Sequence, residues 1–137
     1  PVGDGVLCDA ECQAAPGVYA AGDVASWHHQ GFGERMRVEH RMNATEQGMA
    51  AARNLLGAKV PFAPVPYFWT DQYDTKIAAY GLLTPDAEVT VSQGDPASGK
   101  FIAQYRRDGH LTGVLGWNMP RELRKERQAL VEALATG

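Results

Sequence analysis

Three prolines within six positions, Pro61, Pro64 and Pro66, constrain this chain more than any other feature of it. Proline fixes φ near about −65° and has no N–H to donate, so the run Lys59–Pro66 is neither helix interior nor central strand. It reads as a stiff connector, placing a boundary between residues 1–63 and residues 64–137. A length of 137 residues suits one domain, or one domain joined to a piece of another. An apolar share of 45% is enough for an ordinary core. With 15 glycines and 8 prolines, the chain stays below the content that marks low complexity.

Before the connector, Gly5–Asp9 and Gly17–Ala21 are short apolar runs, the second introduced by the turn pair Pro16-Gly17. Such runs suit strands buried on both faces. Residues 24–37 read as a polar loop holding Trp27, His28, His29, Arg35 and Arg37. From about Glu39 to Leu56 the pattern is helical. Met42, Thr45, Met49, Ala52 and Leu56 recur every three or four residues, which predicts an apolar face, and Gly57 is placed to end the helix.

After the connector the pattern becomes antiparallel β. Strands are expected at 74–80, 87–91, 100–106 and 111–117, with turns at Gly94–Gly99 and at the hairpin pair Asp108-Gly109. A last helix runs from Pro120 to about Leu134, with Leu123, Leu130, Ala133 and Leu134 on one face. No internal repeat is present. The fold class is α+β: an incomplete α/β piece, then a small antiparallel sheet with a helix.

Charge and cysteine content exclude several functions. Thirteen Lys and Arg against 16 Asp and Glu give a net charge of −3, without the basic balance of a nucleic-acid binder. No apolar run is long enough to span a membrane, and Pro1–Gly5 has no signal-peptide character. Cys8 and Cys12 are too few for a disulfide framework and match no metal spacing, so two reduced cysteines of a cytoplasmic protein are expected. His28 and His29 are adjacent, and His40 and His110 lie far off in sequence, so no metal site is expected.

The chemistry concentrates in three strings. Pro16-Gly17-Val18-Tyr19-Ala20-Ala21-Gly22-Asp23-Val24 reads as a strand delivering Gly-Asp at its carboxyl end, where open α/β sheets bind ligands. The second runs from Arg37 through Val38-Glu39-His40-Arg41-Met42-Asn43-Ala44 to Glu46-Gln47-Gly48 and Ala50–Ala52, and the third is Pro66–Tyr73. In that order they resemble the C-terminal third of the putidaredoxin reductase-like FAD-dependent ferredoxin and rubredoxin reductases. Lys100-Phe101, Asp108-Gly109 and Asn118-Met119-Pro120 extend the resemblance to essentially the whole chain. Gln13 stands where relatives often have threonine, a departure in the loop before the first string.

The resemblance implies a closing segment of an FAD-binding domain in residues 1–63 and a reductase C-terminal, or interface, domain in 64–137. It implies Asp23, with Val24 beside it, at the flavin ribitol, and the position of Arg41, with His40 its neighbour, against FAD. Relatives carry an aromatic or aliphatic residue at 41, so a contact there runs through the backbone. A helix N-terminus has free N–H groups and partial positive charge, suited to the pyrimidine edge of a flavin as it gains negative charge. Trp69 is placed beside the isoalloxazine, where a planar indole can stack or cap. Tyr67 and Phe68 are expected in the core, and Trp27 and Trp117 are given structural roles.

No side chain is expected to act as nucleophile or general base. NAD(P)H is the implied electron donor, and a ferredoxin or rubredoxin the implied acceptor. Arg121, Arg124, Lys125 and Arg127 on the last helix form a basic cluster suited to an acidic ferredoxin. No G-x-G-x-x-G follows a strand, and Met36 stands where Gly31-Phe32-Gly33 would need its third glycine. Both glycine-rich nucleotide-binding units are therefore expected upstream. The rival reading is a free-standing docking or dimerisation module without redox work. It is separated from the reductase by whether those two units precede Pro1.

Overall fold

A computed structural model describes residues 1–136. The chain forms two compact units, Pro1–Pro64 and the residues from Val65 onward. The first unit holds β1 (Val2–Gly3), β2 (Gly5–Cys8), β3 (Gln13–Ala15), β4 (Val18–Tyr19), β5 (Ala25–His29), β6 (Glu34–Met36) and α1 (Arg41–Leu55). Its main sheet has the order β1-β2-β5-β6, with β2 and β5 parallel and the other pairs antiparallel, while β3 and β4 form a separate two-stranded ribbon.

Two expectations for the strands of this unit are corrected. Residues 25–36 are a hairpin rather than a polar loop, and β5 is the unit's most buried strand, with Ala25, Ser26, Trp27 and His29 all enclosed. A strand as polar as Ala-Ser-Trp-His-His can be buried because its side-chain donors have partners. Trp27 Nε1 donates to the Phe62 carbonyl at 2.8 Å, and His29 Nε2 lies 2.7 Å from the Pro64 carbonyl. Proline offers carbonyls and no N–H, so the connector cannot join a ladder on its own account. Its carbonyls are held instead by two rings of β5. The second correction concerns Gly17–Ala21, of which only Val18–Tyr19 is strand, and Val18 is exposed.

The helix α1 starts at Arg41 and ends as the sequence predicts. Gly57 has φ +98°, its N–H donates to the Asn54 carbonyl at 2.9 Å, and the Ala58 N–H donates to the Arg53 carbonyl at 3.1 Å. That pair of bonds is a Schellman cap. The expected apolar face is not the buried one. Met42 and Met49 are 56% and 52% exposed, and Leu56 is exposed, whereas Asn43, Gln47, Ala51 and Asn54 are buried. The helix lies on irregular backbone, whose orphan N–H and C=O groups need polar partners more than they need methyl groups. Asn54 supplies three such bonds, donating to the carbonyls of Glu11 and Val60 and accepting from the Val60 N–H.

The second unit is an antiparallel sheet of order β7-β8-β11-β10-β9 with α2 packed across β11 and β8. Its strands are β7 (Tyr67–Gln72), β8 (Thr75–Gly81), β9 (Glu88–Asp95), β10 (Lys100–Arg107) and β11 (His110–Trp117), and α2 spans Pro120–Thr136. Ile102, Leu111, Val114, Leu123 and Leu130 make the core, with Ala133 and Leu134 packed against it, as the helix periodicity predicts. Asp108 and Gly109, at φ +51° and +79°, form the two-residue hairpin turn expected between β10 and β11.

One strand beyond the four expected is present. Tyr67–Gln72 pairs with β8 as an edge strand, and every residue of it is exposed, which corrects the core placement of Tyr67 and Phe68. Among the described residues no helix is long and apolar enough to cross a membrane.

Candidate functional site

The Gly22–Asp23–Val24 turn is a single 3-10 turn that follows extended backbone at Ala21. Gly22 has φ +79°, which a side chain rarely tolerates, and it is buried against Ala44 of α1, where a Cβ would come 3.4 Å from the Ala44 Cβ. Asp23 and Val24 are exposed, and among the described residues nothing is bonded to the Asp23 carboxylate. Arg37 donates to the Asp23 carbonyl at 3.1 Å and pairs with Asp4 at 3.4 Å and with Glu39. Those two carboxylates hold the guanidinium above its ordinary pKa.

His40 is the N-cap of α1, with extended backbone and no capping bond from its ring. The first turn therefore keeps uncapped N–H groups at Arg41, Met42 and Asn43, while the Ala44 N–H reaches the His40 carbonyl at 3.0 Å. The structure brings the Gly22–Asp23 turn onto the first turns of this helix. Asp23, Val24, His40 and Arg41 thus belong to one region of the first unit.

Trp69 belongs to the second unit and is described there. It sits on β7 opposite Ala78, is 57% exposed, and stacks on Tyr67 with ring centroids 5.3 Å apart. Tyr67 stacks in turn on Tyr80 at 4.6 Å, and the Arg127 guanidinium lies 5.6 Å over the Tyr80 ring. Desolvation in this ladder raises the Tyr67 phenol above its ordinary pKa, with Tyr80 adding to the effect. The ladder supports Trp69 from one side and leaves much of the indole to solvent. Trp27 and Trp117 hold the structural places expected for them: Trp27 is fully buried, and Trp117 stacks on Phe101 at 5.8 Å.

Arg121, Arg124, Lys125 and Arg127 are all exposed on α2. Glu126, which interrupts the run, is engaged by Gln93 and Gln104 at 3.0 and 2.9 Å. Neither Cys8 nor Cys12 forms a disulfide, and both are buried. Burial pushes the Cys12 thiol up to about 11, so the sulfur is protonated and unreactive at neutral pH.

The sequence assigns no separate role to Gln47 or Arg37, which shape the turn of the first unit, and it places Tyr67, which supports Trp69 in the second unit, in the core. Gln47 stands inside the second string, and its one further signal is an amide one turn after Asn43, which a search for apolar periodicity discards.

His29 gives a stability prediction for the first unit. Its Nε2 donates to the Pro64 carbonyl and its Nδ1 accepts the Phe32 N–H at 3.3 Å, so a second proton has no place on the ring. Burial lowers its pKa below the ordinary value, outweighing the Pro64 carbonyl, which raises it. The neutral ring is therefore favoured on folding, and its contribution is present above the unfolded-state pKa of about 6.5 and lost as pH falls below it. Thermal midpoints measured from neutral to mildly acid pH should fall more steeply for the natural chain than for His29→Gln. Equal slopes would refute the assignment.

The family model described as "Reductase C-terminal" matches residues 67–136. The chain is 36% identical over 133 residues to the 5,5'-dehydrodivanillate O-demethylase ferredoxin reductase subunit of Sphingobium sp., covering 95% of this chain and 32% of that protein. It is 35% identical over 136 residues to a ferredoxin–NAD(P)(+) reductase of Sphingomonas sp., covering 96% and 32%. Among solved structures, putidaredoxin reductase in its covalent complex with putidaredoxin matches with a TM-score of 0.82 at 29% identity, covering 97% of this chain and 32% of that one. The chain spans about a third of the length of the curated relatives it matches. The matched span is half of the chain and coincides with the five-stranded sheet and its helix, and the chain belongs to the reductase C-terminal family, whose members among these relatives are ferredoxin reductase components.

Proposed function

We propose that this chain is the C-terminal third of an NAD(P)H-dependent, FAD-containing reductase of the cytoplasm that passes electrons to a small iron–sulfur protein, a ferredoxin or rubredoxin. On this reading residues 1–63 close an FAD-binding domain, residues 64–137 are its interface domain, and the two glycine-rich nucleotide units lie upstream.

The observation that carries the reading is the Gly22–Asp23 turn, seated on the uncapped first turns of α1 with its carboxylate exposed and unbonded. The donor set fits the cofactor. A free carboxylate accepts hydrogen bonds from a polyol, uncapped helix N–H groups suit a carbonyl-bearing ring edge, and a half-exposed indole offers a flat apolar surface. FAD, when bound, supplies the hydride-accepting and single-electron-releasing chemistry.

The chain's own residues bind and orient. Asp23 holds the ribitol, with the Val24 side chain beside it. The backbone at His40 and Arg41 stabilises negative charge at the ring edge, and Trp69 shields the ring from water. The exposed basic residues of α2 steer an acidic electron acceptor.

The complete reductase should purify yellow, have its flavin absorbance bleached anaerobically by NADH or NADPH, and reduce ferredoxin stoichiometrically. The 137-residue chain alone should be colourless and should not oxidise NAD(P)H. A complete protein that carries no flavin, or whose flavin neither nucleotide bleaches, would overturn the reading.

A further inference from the structure

The Gly22 N–H belongs to a buried turn just beyond the end of β4, where no strand remains to accept from it. Its partner is a side chain, Gln47 Oε1 of α1, at 3.0 Å. The same oxygen accepts from Asn43 Nδ2 at 3.2 Å, and Gln47 Nε2 lies 3.5 Å from Cys12 Sγ. Gln47 is fully buried. Both acceptor positions of its carbonyl are filled by donors, so the amide cannot flip without setting NH₂ against two N–H groups. Asn43 is held from the other side by the Val38 carbonyl at 3.4 Å. A glutamine carries considerable side-chain entropy, yet here it is fixed at one end of a relay whose other end is the residue before Asp23.

Resting on the reading of Asp23 as the FAD ribitol ligand, we infer that Gln47 is the positioning residue for that contact. It fixes the Gly22 peptide on α1 and thereby sets where the Asp23 carboxylate stands. An unpaired Gly22 N–H would leave the turn free to tilt away from the helix, and a displaced carboxylate is a weaker ligand. Among the described residues the Asp23 carboxylate has no hydrogen bond or ion pair to hold it, so its position depends on the backbone behind it.

The test is a double-mutant cycle on the complete reductase, reading the FAD dissociation constant of the folded apoprotein. Gln47→Met keeps the length and removes both amide groups. It should weaken FAD binding by about tenfold in the natural background and by less than about twofold when Asp23 is already alanine. Gln47→Glu keeps an acceptor for the Gly22 N–H and should stay within about threefold of the natural protein.

A purely structural Gln47 predicts the same loss in both backgrounds, or a lower thermal midpoint with FAD affinity unchanged. Either result overturns the inference. Should Gln47→Met yield no folded protein, Gln47→Ala replaces it in the same two backgrounds: a loss of about tenfold that shrinks below about twofold beside Asp23→Ala supports the role, and an equal loss in both backgrounds, or none in either, overturns it. If Asp23→Ala alone leaves FAD affinity unchanged, the underlying reading of Asp23 has failed. If Asp23→Ala weakens binding and Gln47→Met adds to it in full, only the role of Gln47 has failed.

Discussion

Asp23→Ala in the complete reductase is expected to weaken FAD binding by about ten- to hundred-fold, the range set by one charge-assisted hydrogen bond of roughly 1.5–3 kcal/mol. The fold should not register the change, because among the described residues nothing is bonded to that carboxylate. Flavin occupancy should drop on dialysis, and excess FAD should restore much of the NAD(P)H-to-acceptor rate, since on the proposed reading the residue holds the cofactor and moves no proton. A helix-start or turn role for Asp23 predicts the opposite pattern: a lower thermal midpoint with normal FAD affinity in the protein that remains folded. Titrating FAD into the apoprotein of each variant distinguishes the two.

Leu130→Ala should strongly destabilise the second unit. Leu130 is fully buried on α2 among Ile102, Leu111, Val114 and Leu123. Removing its branched end loses transfer free energy and leaves a cavity in a small core, a cost of about 2–5 kcal/mol. A small domain has only about 5–15 kcal/mol to lose, so much of the unit's stability should disappear. Met49→Ala is the matched control. Met49 belongs to the periodic apolar set of α1 and would be a core residue if that pattern marked the buried face. It is 52% exposed instead, and its removal should change stability by no more than about 0.5 kcal/mol. Denaturant unfolding of the two variants that gave similar losses would contradict the side of α1 described as buried.

The two helices show where periodicity is a sound guide and where it misleads. In α2, Leu123, Leu130, Ala133 and Leu134 were legible from spacing alone, because a helix laid on a regular sheet meets side chains and buries apolar ones. In α1 the same reasoning selected Met42, Met49 and Leu56, which the fold exposes. Its neighbours are a 3-10 turn and loop backbone, and such neighbours select amides. Asn43, Gln47 and Asn54 look like solvent-facing residues until the carbonyls and N–H groups opposite them are known.

The strings around Asp23, His40, Arg41 and Trp69 were readable as strings, because a motif is a local property of order and spacing. So were the local signals: the Gly57 cap, the Asp108-Gly109 turn, the start of α2 at Pro120, and the inability of residues 61–66 to form regular structure. These depend on φ preferences and missing donors, which each residue carries wherever it is placed. Tertiary structure alone decided that Ala25–His29 is a buried strand, that Tyr67–Gln72 is an exposed edge, and that Trp27 and His29 hold the carbonyls of Phe62 and Pro64. The first and the last share a physical reason. Whether a polar or aromatic residue is buried depends on a hydrogen-bonding partner some 35 residues away in the chain, and only the folded chain brings the two within bonding distance.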